Sequence, residues 1–144
     1  MTNLMLLCTI AGRQAAIPAH AIRSVIEIDA VEPIPGTPPW IVGLTALRSQ
    51  ALTVVDCRVA LGFESAGDPV GSRAVVISLD GHLYALVVDD ASDVEEIDGD
   101  IQQLRGGFGT QWADAALGMV ETPRGPAIIL DIPALLGLDQ SEAA

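Results

Sequence analysis

This chain repeats itself, and the repeat constrains its fold more than any other feature. Displaced by 75 residues, Gly43 falls on Gly118, Asp56 on Asp131 and Gly62 on Gly137, with Thr53-Val54-Val55 over Ile128-Ile129-Leu130 and Leu61 over Leu136. Displaced by 69, Gly12 falls on Gly81, Ala16 on Ala85, Val25 on Val94 and Ile28 on Ile97. Apolar strands resemble one another by default, but coincident glycine and aspartate landmarks do not arise that way. The chain therefore reads as an internal duplication within one domain, residues 1–144, with approximate halves 1–66 and 67–138 and a short tail, 139–144.

Each half spells hairpin, strand, hairpin, short helix. Leu4–Ile10 and Gln14–Pro18 flank the turn signal Ala11-Gly12-Arg13, and His20–Ile28 reads as a helical turn running into a strand. Ile34 to Asp56 is the pivot: a proline-stiffened entry through Trp40, then the apolar runs Ile41–Leu47 and Ala51–Val55 on either side of Arg48-Ser49-Gln50. Asp56 to Gly62 has an aspartate N-cap and a glycine stop, the marks of a short helix. Phe63–Ser72 is a loop. In the second half, Ala74–Leu79 and His82–Val88 surround Asp80-Gly81, the strongest hairpin signal present. Ala91–Ile97 is a more polar strand, and Gly99–Ala116 is irregular. Leu117–Thr122 and Ala127–Leu130 flank Pro123-Arg124-Gly125-Pro126, and Asp131 to Gly137 repeats the capped helix. About five short strands per half suit a small closed barrel, which leaves no sheet edge exposed. Strand exchange between two such barrels is possible.

The chemistry for an enzyme is thin. His20 and His82 are far apart and unrelated by the repeat, and Cys8 and Cys57 sit in apolar sequence without CxxC spacing. The acidic run from Asp89 to Asp100 fails the calcium-loop pattern, because Gly99 at the turn position would make Val94 the first ligand. Arg105-Gly-Gly-Phe-Gly109 neither follows a strand nor opens a lysine-bearing helix, so it is no phosphate loop. No metal, cofactor or catalytic set is expected. A net charge of −12 argues against nucleic acid and against an anionic membrane surface. No apolar run approaches the roughly 18 residues of a membrane span, and no signal peptide is legible, so a cytoplasmic protein is expected. Half the residues are nevertheless apolar, with only 18% charged. Surplus apolar residues point to interfaces, hence to a protein-binding module. A lone guanidinium at a hairpin tip, Arg48, is a candidate anchor for a partner's carboxylate.

Several stretches also resemble the CheW family of chemotaxis coupling proteins. They are Ile34-Pro-Gly-Thr-Pro-Pro-Trp-Ile-Val-Gly43, Leu47-Arg48 with Val54-Val55-Asp56, Leu86 to Val94, and Ala127-Ile-Ile-Leu-Asp131 with Leu135-Leu136. Their order and spacing cover about residues 4 to 137. The resemblance implies a mostly β fold of two five-stranded SH3-like barrels with short helices and no catalysis. It implies an adaptor joining the cytoplasmic tips of methyl-accepting chemoreceptors to the regulatory domain of a CheA-type histidine kinase. A parallel pathway such as twitching motility, or a small ligand- or metal-binding barrel, are the alternatives. Carried over residue by residue, the protein-binding positions are Ile22, Val25, Gly43 and Arg48 in the first half and Ala85, Ala91, Val94 and Gly118 in the second. Two departures stand out. Ser24 replaces a glutamate that usually pairs with the arginine, leaving Glu27 as the nearest substitute in sequence, and Ser49 replaces a glycine.

Overall fold

The computed structural model describes residues 2–65, 67–104 and 109–137. In chain order it contains β1 (Thr2–Ile10), β2 (Arg13–Pro18), a 3-10 turn (Ala19–Ala21), β3 (Ile22–Glu27), β4 (Ile41–Leu47), β5 (Gln50–Asp56) and α1 (Cys57–Ala60). There follow β6 (Arg73–Leu79), β7 (His82–Val87), β8 (Asp90–Asp98), α2 (Thr110–Asp114), β9 (Ala116–Thr122), β10 (Gly125–Leu130) and α3 (Ile132–Leu135). Three of the hairpins turn through two residues that both have positive φ: Ala11-Gly12 at 52° and 80°, Asp80-Gly81 at 51° and 81°, and Arg48-Ser49 at 50° and 71°. That backbone matches the right-handed twist of the flanking strands. The Arg48 turn is one residue tighter than the sequence suggests, because Gln50 already pairs with Leu47.

The strands form two five-stranded sheets, ordered β8-β1-β2-β10-β9 and β3-β6-β7-β5-β4. Replacing each strand by its repeat equivalent turns one order into the other. The first hairpin of each half, β1–β2 or β6–β7, lies in the sheet built from the other half's remaining strands. Residues 1–66 and 67–138 therefore do not map one-to-one onto the sheets. Short parallel pairings stitch the exchanged hairpins in place, Ala15 and Ala16 with Ile128 and Ile129 on one side, and Thr53 to Asp56 with Tyr84 to Val87 on the other.

Alternation sorts the side chains into three cores. Met5, Leu7, Ala16, Ile97, Val120, Ala127 and Ile129 fill the first barrel; Ile28, Leu52, Val54, Ala74, Val76 and Ala85 fill the second. The opposite faces of the same strands, with Leu6, Cys8, Ile10, Ile17, Val55, Val75, Ile77, Leu86, Ile128 and Leu130, meet in a larger core between the barrels, which also takes in Trp112. Strands buried on both faces read as unbroken apolar runs. That explains the high apolar fraction. The helices α1 and α3 cap this shared core. The Asp56 carboxylate accepts from the Arg58 and Val59 amides at 3.0 and 3.3 Å, and Asp131 accepts from Ala134 at 3.3 Å.

Among the described residues, each barrel is closed by a single bridge. Glu32 and Leu44 exchange two backbone hydrogen bonds of 2.8 Å; Gln102 and Met119 exchange two of 2.7 Å. The bridge positions on β4 and β9 are repeat equivalents, and each follows a glycine. A Cβ on Gly43 would run into the Glu32 carbonyl and the Val31 side chain; one on Gly118 would meet the Gln102 carbonyl at 2.6 Å and Ile101 Cγ2 at 2.8 Å. The glycines are there because the closing segment passes too near for any side chain. Gly43→Ala and Gly118→Ala are expected to cost about 1–3 kcal/mol each, read as lower denaturant midpoints. The substituted strand would also lose hydrogen-exchange protection at Leu44 or Met119.

Candidate functional site

The expected interface residues fall into two groups. Ile22 and Val25 lie on β3, Ala91 and Val94 on β8, and each pair is related by the 69-residue repeat. Their cross-strand partners are Ile77 and Val75 on β6, and Cys8 and Leu6 on β1. All four partners belong to the shared core. Residues directly opposite in a ladder share a face. These four residues are therefore the outward rim of that core. Ile22 and Ala91 pack against it, while Val25 and Val94 are 36% and 45% exposed. β6, beside β3, also packs against β8, so both rims flank the seam between the barrels. Leu4, 55% exposed on β1, extends this apolar rim. It was not anticipated, although alternation along β1 puts it on the face of Leu6 and Cys8.

The other four positions differ. Gly43 and Gly118 are buried at the closing bridges described above. Ala85 is fully buried inside the second barrel, between Val76 and Val54. Direct contact of Ala85 with a partner is excluded by that burial; it acts on any surface only through the sheet it packs. Arg48 is exposed at its hairpin tip and has no ion pair among the described residues. It borders an open depression of about 440 Å³ at the mouth of the second barrel, lined also by Arg23, Ser24, Val76, Ser78 and Leu83. Ser24 and Arg48 are thus brought together, whereas Glu27 stands opposite Arg73 in the ladder.

A charged clamp holds the seam. Asp89, in the connection from β7 of one barrel to β8 of the other, receives a two-pronged hydrogen bond from Arg58, Nε to Oδ1 at 2.9 Å and Nη2 to Oδ2 at 3.0 Å. Its backbone amide donates to the Thr9 carbonyl at 2.8 Å, and the Gly12 amide lies 3.4 Å from Oδ2. Asp89 thereby ties the β1–β2 turn of the first barrel to α1 of the second. The Arg58 hydrogen bonds, then its charge, hold the Asp89 carboxyl below the usual carboxylate range despite partial desolvation.

Both thiols are buried and held protonated. Burial pushes the Cys8 thiol up to about 12, helped by the Asp89 charge, and raises Cys57 well above its ordinary value. Among the described residues no three His, Cys, Asp or Glu side chains gather as metal ligands would. No described helix is long and apolar enough to cross a membrane.

A family model described as the CheW-like domain matches residues 4–140. The chain belongs to the CheW-like family. A chemotaxis protein CheW from Rhizobium meliloti (strain 1021) is 27% identical over 94 residues, 65% of this chain and 61% of that protein. The alignment thus spans less than two thirds of that relative. The crystal structure of the scaffolding protein TtCheW from Thermoanaerobacter tengcongensis superposes with a TM-score of 0.79 at 22% identity, covering 91% of this chain and 90% of that one. The fold is the CheW fold of two SH3-like barrels.

The clamp predicts a pH signature. A depressed folded pKa contributes stability that is fully present above the unfolded carboxylate value near 3.8 and is lost as pH falls through the lower folded value. Asp89→Asn is expected to be less stable than the wild type at neutral pH, with the gap closing as pH drops below 4, read from urea midpoints across pH.

Proposed function

We propose that this chain is a non-catalytic adaptor that couples chemoreceptors to a CheA-type histidine kinase in chemotaxis signalling. The observation that carries this reading is the family match along nearly the whole chain, residues 4–140, in a fold that keeps both barrels. Two features of the surface support it. The apolar rim of Leu4, Val25 and Val94 along the seam suits the apolar face of a helical hairpin, such as a receptor tip. The second barrel presents a separate end at the Arg48 hairpin, to which the kinase's regulatory domain docks. Two docking places on one body are what a bridge between two partners requires. The adaptor works in the cytoplasm, recruited to receptor arrays at the membrane.

Capture from the native cell lysate, with captured proteins identified by mass spectrometry, tests this. The wild type is expected to recover a histidine kinase and methyl-accepting receptors. Val94→Asp is expected to lose receptors by roughly tenfold or more, because a charge placed in an apolar contact must be desolvated, while kinase recovery is kept. Recovery of a kinase and receptors of another pathway would move the adaptor there. Recovery of neither would overturn the reading.

A further inference from the structure

All seven basic residues of this chain are arginines, set against nineteen acids. Three of the six arginines the structure describes stand near acids. Arg58 is clasped by Asp89 and Arg124 reaches Glu95 at 3.4 Å. Arg73 lines a depression that also holds Asp56, Asp68, Asp89 and Asp90. The mouth of the second barrel is different. Arg23 and Arg48 both line it, neither has an ion pair among the described residues, and no acid lines it. In a chain of net charge −12, a depression with two guanidiniums and no carboxylate is an uncompensated positive spot.

Its other lining has a defined chemistry. Ser24 and Ser78 add two half-buried hydroxyls, for which no hydrogen-bond partner occurs among the described residues. Val76, Leu47 and Leu83 make an apolar floor, and the backbone at Gly81 completes the rim. The hairpin that carries Arg48 is itself unusual. The two other positive-φ hairpins place glycine at the second turn position, whereas Ser49 occupies it here at φ 71°, after Arg48 at φ 50°. Left-handed backbone is unfavourable for a non-glycine residue, and such conformations concentrate at functional sites and ligand clamps.

We propose that this depression is a carboxylate socket for an aspartate or glutamate side chain of a protein partner. Arg23 and Arg48 grip the carboxylate, the two hydroxyls complete its hydrogen bonds, and Leu47, Val76 and Leu83 receive an apolar neighbour of the acid. The size, about 440 Å³, accommodates an acidic residue with one flanking side chain and leaves a lone small anion loosely held. Carboxylate is favoured over phosphate because the chain's overall charge of −12 repels a dianion about twice as strongly as a monoanion. The socket rests on the reading that this chain docks protein partners, and it specifies the chemistry of one contact.

Titration of the full-length, isotopically labelled protein tests it, followed through arginine Nε–Hε signals and the backbone amides. The probe is the capped peptide acetyl-Leu-Glu-Leu-amide; its glutamine counterpart, acetate and inorganic phosphate are the comparisons. The glutamate peptide is expected to shift Arg23 and Arg48 Nε–Hε together with the Ser24, Ser78 and Gly81 amides. Arg48→Ala is expected to weaken binding at least fivefold, and Arg48→Lys by less, with an otherwise unchanged spectrum reporting an intact fold. Absence of these shifts, or equal shifts from the glutamine peptide, would overturn the socket. Equal affinity for acetate would reduce it to a bare anion site, and tighter binding of phosphate would overturn the carboxylate assignment. No kinase or receptor enters this titration. A negative result therefore leaves the coupling role intact, and failed capture from lysate beside a positive titration would overturn the coupling role alone.

Discussion

The fold depends on burying the same strands on both faces. Among the described residues, the core between the barrels gathers nineteen buried side chains, against seven and six inside the barrels themselves. Each buried Val, Leu or Ile stabilises by about 1.5–3 kcal/mol. Most of the apolar driving force therefore sits between the barrels. A six- or seven-residue interior is too small to hold some seventy residues against conformational entropy. The barrels exist as a pair because the seam supplies what each lacks, and the exchanged hairpins make that pairing covalent. The acidic surface and the clamp at Asp89 sit on top of this arrangement and adjust it.

The two glycine-bridged closures show how the duplication works physically. A five-stranded sheet with a small interior must bring its first and last strands together, and here the connection after β3 or β8 does so with one pair of backbone hydrogen bonds. Such a bridge forms only where the facing strand offers bare backbone. Gly43 and Gly118 supply it in register with Leu44 and Met119, beside a bulge that turns the strand. The glycine landmarks that expose the repeat in the sequence are thus the points where each barrel closes.

Elements were legible wherever local chemistry decides them. Asp80-Gly81 and Ala11-Gly12 demand tight turns, and Asp56 and Asp131 announce the short helices they cap. The helix α2 escaped notice because Thr110–Asp114 lies in a glycine-rich, weakly periodic stretch and is only five residues long. Part of that stretch, 105–108, and the tail 138–144 lie outside the described residues. Strand exchange was not legible in principle, since β1–β2 and β6–β7 carry equivalent patterns and either could pair with either set. The candidate site was legible in kind more than in placement. Alternation marks Ile22, Val25, Ala91 and Val94 as apolar, but whether such a residue fills a core or forms its rim depends on where the second barrel ends. The same ambiguity hid Leu4, and it let Ala85, wholly interior, stand among the interface positions.

Exchange also decides how stiff such a body is. Two domains joined by one linker and a modest interface move against each other by default. Here the second barrel is one contiguous run, β3 to β7, set between the strands of the first, so two crossing segments, β2 to β3 and β7 to β8, tie the barrels together where a single linker would leave a hinge. Among the described residues the seam is the largest apolar core, and Arg58 with Asp89 locks the crossing segment against the β1–β2 turn. The apolar rim and the Arg48 end are consequently held at a fixed geometry. A displacement of one would carry the other with it as a rigid body, with little room for an internal conformational change. The stiffness comes from the two crossing segments and the shared core.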